Sequence, residues 1–180
     1  MRLGCPQRHH ARASLLPLLS RSTPAPAPDT LAAILIATDE IELVGTVAPT
    51  GQRITDLLLR GQDLAFLPHG ADPAPDAWIS ISPPDILWVA PPPLPDRDGA
   101  VASRSSGQRI FVRIGPYRII GVAHLAPATS IDHRLAIQRP FLPLTSASVA
   151  RETEHASGAV EDMDVVIVNL ARASDRRAIG

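Results

Sequence analysis

"VGTVAPTGQRITDLL", Val44–Leu58, decides how this chain is read. It opens as an apolar strand carrying Gly45. It closes with Ile54, Leu57 and Leu58 spaced to lie on one face of a short helix. A fainter copy, "IGVAHLAPATSIDHRL", spans Ile120–Leu135. Gly45 and Gly121 stand the same interval apart as Asp56 and Asp132. The triplet "FLP" recurs at Phe66–Pro68 and Phe141–Pro143 after a slip of one residue. Matches in the same order within similar hydrophobic patterns read as an internal repeat. A glycine inside the second strand of each copy suits a bulge or a strong bend.

Working outward, composition marks the limits of the copies. Residues 1–30 form a leader rich in Pro, Ala and Arg, ending in "RSTPAPAPDT", which reads as extended and solvated. Residues 31–90 form the first unit, 91–108 a Pro/Gly/Ser-rich linker, 109–170 the second unit and 171–180 a flexible tail. The first unit predicts strands at "AILIA", "IELVGTVA", "DLAFLP", "AWISIS" and "DILWVA", with a tight turn at Asp39–Glu40 and a helix ended by Gly61. In the second, "RIFVRI" and "YRIIGVAHL" are joined across Gly115–Pro116, and "VVIVNL" closes the unit after an insertion at "ARETEHASGAVEDMD". The expected fold is mainly β with short helices: two tandem small five-stranded barrels, each with one inserted short helix. A unit that small buries little of its surface, so pairing two gives a physical reason for duplication.

The pair "ILIATDEIELVGTV" and the closing "AWISISPPDILWVA" resemble the first and last strands of Sm-like (Hfq/LSm-type) small β-barrels. The arrangement is also similar to bacterial domains of unknown function. The resemblance covers residues 31–90 well and 109–170 loosely. It implies a strongly bent barrel, edge-to-edge assembly and, for that family, RNA binding. The chain departs from the pattern in its proline-rich start and in the helix after the glycine-bearing strand. The aspartate and asparagine of the family's RNA pocket find no match.

Composition excludes much chemistry. All 17 basic residues are arginine, and the net charge is −1. Without lysine there is no Schiff-base amine and no P-loop lysine. Residues 31–170 are acidic on balance, while both ends are basic, and an acidic body repels phosphate backbones. Cys5 is the lone cysteine, so no internal disulfide forms. No apolar run approaches the roughly 20 residues of a membrane helix.

No G-x-S-x-G, G-x-G-x-x-G or P-loop occurs, and no catalytic, cofactor-binding or metal-binding residue is assigned. Asp132–His133 is the most enzyme-like pair, but neighbours on a helix diverge by about 100°. Asp56 and Asp132 read instead as helix-start or turn residues. Glu152, Glu154, His155, Glu161, Asp162 and Asp164 could offer metal ligands, but read as a solvated acidic loop. Trp78 and Trp88 bracket the closing hairpin of the first unit and are expected in core or interface packing. Gly45, Gly121, Asp56, Asp132, Trp78 and Trp88 are thus structural candidates. The expected protein is a non-enzymatic, cytoplasmic module that binds a protein partner or its own copies. RNA binding is the alternative, disfavoured by the acidic body. An enzyme or metal site using His124, His133 and the acidic segment is a third.

Overall fold

The computed structural model describes residues 33–48, 50–92, 106–125, 140–153 and 156–179. The leader, most of the expected linker, Asp132, His133 and the expected second helix lie outside them. The described chain is mainly β, with ten strands, one short α-helix and a few 3-10 turns. The first half holds β1 (Ala33–Thr38), β2 (Glu42–Val47), α1 (Ile54–Leu59), β3 (Leu64–Pro68), β4 (Ile79–Ile81) and β5 (Ile86–Ala90). The second half holds β6 (Ser106–Ile114), β7 (Tyr117–Leu125), β8 (Phe141–Thr153), β9 (Ala156–Asn169) and β10 (Ala173–Ala178).

Local chemistry explains the connections. At Asp39–Glu40, Thr38 Oγ1 accepts from Ile41 N at 3.2 Å and donates to Ile41 O at 3.0 Å, clamping the turn. Gly115 takes a φ of 51° in the turn that pairs Ile114 with Tyr117, a conformation glycine adopts at no steric cost. Helix α1 ends where Gly61, at φ 68°, lets Gln62 N donate to Leu57 O and Gly61 N to Leu58 O, both at 3.1 Å. Leu57 and Leu58 are buried, as their spacing requires.

The strands form one continuous antiparallel sheet in the order β10-β6-β7-β8-β9-β5-β1-β2-β3-β4, and it is not closed. Within it the two halves repeat one connectivity: the last strand lies outside the first, followed by the second, third and fourth. The repeat extends to a detail. β5 carries one unpaired residue, Leu87, just after the Thr38↔Ile86 pair with β1, and β10 carries Ser174 just after the Ile114↔Ala173 pair with β6. A 3-10 turn precedes each closing strand, Pro83–Asp85 and Leu170–Arg172.

Several expectations need correction. The chain builds one sheet rather than two separate ones, because β5 of the first half pairs with β9 of the second. Residues 171–180 are not a tail: Ala173–Ala178 forms β10 on β6, hydrogen-bonded although polar. Accordingly "VVIVNL" belongs to the end of β9 and not to the closing strand. The acidic "insertion" is largely the far end of the β8–β9 hairpin. The "FLP" triplets are not equivalent: Pro68 faces Gly45, whereas the segment around Thr145 and Ala147, not Pro143, faces Gly121.

The glycines differ as well. Gly121 sits opposite a bulge on β8, where the register shifts between Ile120↔Ser148 and Val122↔Thr145 and Ser146 takes a φ of 47°. Gly45 lies in regular register on both sides and has no bulge. Its constraint is space: a Cβ there would stand 2.2 Å from Leu67 O and 2.5 Å from the Phe66 ring.

Two apolar clusters fill the interior. One holds Ile34, Ile36, Leu57, Leu64, Phe66 and Val89, the other Val112, Tyr117, Ile119, Leu144, Val166 and their neighbours. They exchange members across the join. Trp88 and Leu87 of the first half belong to the second cluster, and Phe141 and Ile167 of the second half belong to the first.

Candidate interaction surface: the internal joint and the two sheet ends

The joint between the halves is short in backbone pairing, Trp88↔Val168 and Val89↔Ile167, but dense in side chains. Residues Ile86–Val89 of β5 are all buried, the pattern of a strand covered on both faces. Trp88, 1% exposed, meets Tyr117 edge to face with centroids 5.5 Å apart at 85°. Trp88 thus lies within the apolar interior, packed across the joint. Trp78 is only half-buried, at the end of the 3-10 turn Pro75–Ala77.

Polar groups lock the same seam. Asn169, the only buried polar residue among those described, donates from Nδ2 to Ile86 O at 2.9 Å, while its Oδ1 accepts from Ala171 N at 3.2 Å. Arg172 pairs with Asp39 in the β1–β2 turn and donates to Pro84 O at 3.2 Å. Tyr117 Oη donates to Glu42 Oε1 at 2.7 Å, and Arg151 stands 3.7 Å from the same carboxylate oxygen. Apart from the Ala171–Asn169 bond, which lies within the second half, each of these contacts runs from the second half to the first.

Asn169 carried no sequence signal beyond being polar within an apolar run, "VVIVNL". Replacing it by alanine leaves the Ile86 carbonyl and the Ala171 amide without their side-chain partner. The expected cost is about 1–3 kcal/mol, read as a lower midpoint in denaturant with an unchanged slope.

Burial, followed by the hydrogen bond to Glu42 and that group's charge, raises the Tyr117 phenol above its usual pKa. The sign follows directly. The unfolded phenol begins to ionise near pH ~10 while the folded one stays protonated, so this contribution is intact below that pH and is lost as pH rises further. Tyr117 is the sole tyrosine, so the phenolate absorbance reports it alone. The folded protein should show no phenolate until alkaline unfolding sets in; ionisation at the ordinary pH in the folded state would contradict this.

The other sequence candidates do not converge. Asp56 lies in the first turn of α1 without a side-chain cap bond. Glu152 pairs with Arg113, whose hydrogen bond holds the carboxyl below its usual pKa, and with Arg118 Nε at 2.9 Å. Glu161 and Asp162 are consecutive on β9 and so point to opposite faces, and Ser148 donates to Asp162 at 2.6 Å. Among the described residues no group of three or more His, Cys, Asp or Glu could hold a metal ion. Glu154, His155 and His133 are outside them, and His124 lies exposed on β7, Nε2 2.8 Å from Thr145 Oγ1.

The sheet ends are unlike the joint. β4 exposes Ile79, 41% accessible, and β10 exposes Arg176 and Arg177. Beside β4, between it and the β1–β2 turn, a surface hollow of about 320 Å³ is lined by Asp39, Glu40, Asp85, Ile41, Leu43 and Ser80 among others. No described helix is long and apolar enough to cross a membrane.

Comparison with known proteins adds no relative: no family profile, curated protein or solved structure matches the chain.

Proposed function

We propose that this chain is a non-enzymatic, self-associating module made of two Sm-like half-units, with a second copy of itself as partner. One observation carries the reading. The chain joins its halves through the fourth strand of one and the closing strand of the other, and the outer edges of the equivalent strands, β4 and β10, have no partner strand among the described residues. Unpaired strand edges are templates for further pairing. A cytoplasmic location belongs to this reading, since a chain with one cysteine draws no stability from internal disulfides. The RNA-binding alternative has less support: Phe66, Trp78, Trp88, Phe111, Tyr117 and Phe141 are all buried or half-buried, so no fully exposed Phe, Tyr or Trp ring offers a base a stacking surface.

The full chain is expected to sediment as a species larger than one copy at micromolar concentration. A monomer throughout, with no change on concentration, would overturn the proposal.

A further inference from the structure

We infer that successive copies join head to tail, β4 of one chain against β10 of the next, through a salt-dependent contact in which Arg176 reaches the acidic hollow beside Ser80. The inference rests on the self-association reading and adds the identity and chemistry of the contact.

The internal joint supplies the register. Asn169 and Ser82 each stand immediately before the 3-10 turn of their half, so Val168 and Ile167 of β9 correspond to Ile81 and Ser80 of β4. Ile86 and Ala173 each precede the single unpaired residue of their closing strand, so Trp88 and Val89 correspond to Asp175 and Arg176. Internally, Trp88 faces Val168 and Val89 faces Ile167. Between copies the same geometry sets Asp175 against Ile81, and Arg176 against Ser80.

The chemistry therefore changes from apolar to ionic. Ser80 lines the hollow that also contains Asp39, Glu40 and Asp85. Among the described residues no side chain pairs with Glu40 or Asp85, whereas Asp39 is already held by Arg172. Ser80 itself donates to Asp63 at 3.1 Å, which brings a further carboxylate to this end of the sheet. At the opposite end, Arg176 and Arg177 are both exposed. Arg176 donates through Nη1 to Leu170 O at 2.9 Å, and Arg177 lies over Phe111 at 4.9 Å, with Asp175 3.7 Å away. Each of these guanidiniums has donors beyond those contacts. One end is thus acidic and the other basic, which favours head-to-tail order and opposes like-end pairing. Such a contact is heterologous, giving a ring where the rotation closes and a filament where it does not.

The test measures the dissociation constant of the full chain by sedimentation at about 0.05 M and about 0.5 M salt, where screening differs strongly. Wild type should weaken roughly tenfold or more across that range, and Arg176→Glu should weaken association at low salt by a similar factor. Mixing Arg176→Glu with a chain carrying Glu40→Arg and Asp85→Arg should restore the contact between the complementary ends. Circular dichroism checks that each variant folds; should Arg176→Glu not fold, the wild-type salt series and the Glu40/Asp85 variant decide. Association indifferent to salt and to these charges would sink the ionic joint and leave self-association standing. Absence of any association would remove both.

Discussion

Replacing Trp88 by alanine is expected to lower stability by about 3–5 kcal/mol, the usual cost of removing a large buried aromatic side chain. Trp88 is 1% exposed and packs edge to face on Tyr117. It comes from the first half of the chain, but its neighbours belong to the second cluster, so the loss should not stay local. Trp78, the only other tryptophan, remains in the variant as a fluorescent reporter within the first half. Its transition should move down together with the far-ultraviolet signal, because Phe141 and Ile167 couple the first cluster back to the second half. A Trp78 transition staying at the wild-type midpoint would show that the halves unfold independently, against the exchange of core residues described above.

Gly45→Val is expected to cost about 3 kcal/mol, at the upper end of the overpacking range. Gly45 is not a conformational requirement, since it is absent from the positive-φ positions. The obstacle is the backbone carbonyl of Leu67, 2.2 Å from where a Cβ would stand, with the buried Phe66 ring at 2.5 Å. A ring can turn, but a carbonyl in a ladder cannot retreat without breaking register between β2 and β3. Even Gly45→Ala should therefore destabilise, whereas alanine at exposed Gly51, where nothing lies within 4 Å of a Cβ, meets only the strain of its φ of 70°. Thermal melts of the two alanine variants separate steric conflict from backbone strain. A Gly45→Ala melting temperature equal to wild type would refute the close-approach account.

Much of the first half was legible in the sequence. "AILIA", the turn at Asp39–Glu40, the Ile54/Leu57/Leu58 face and the Gly61 stop all follow from local periodicity and turn chemistry, and they appear where those signals place them. The opening strands of the second half were equally clear. The failures share a cause. "ASDRRA" has no apolar period because β10 is an exposed end strand, held by its backbone bonds to β6. The acidic residues near Glu161 looked like a loop because that stretch of β9 has polar side chains exposed on both faces. The "FLP" match misled because spacing along the chain does not set strand register: Val122 pairs with Thr145 and Ala123 with Leu144, which places Pro143 away from Gly121.

Local order along the chain determined most strands of the first half, the opening strands of the second, and where the short helix starts and stops. It could not determine that the repeats share one sheet, that Trp88 leaves its own half for the other core, or that Asn169 closes the seam. Those outcomes depend on pairs far apart in sequence, such as Asn169 with Ile86 and Tyr117 with Glu42. Hydrophobic period fixes which face of a strand is buried; only the assembled sheet fixes which neighbour buries it.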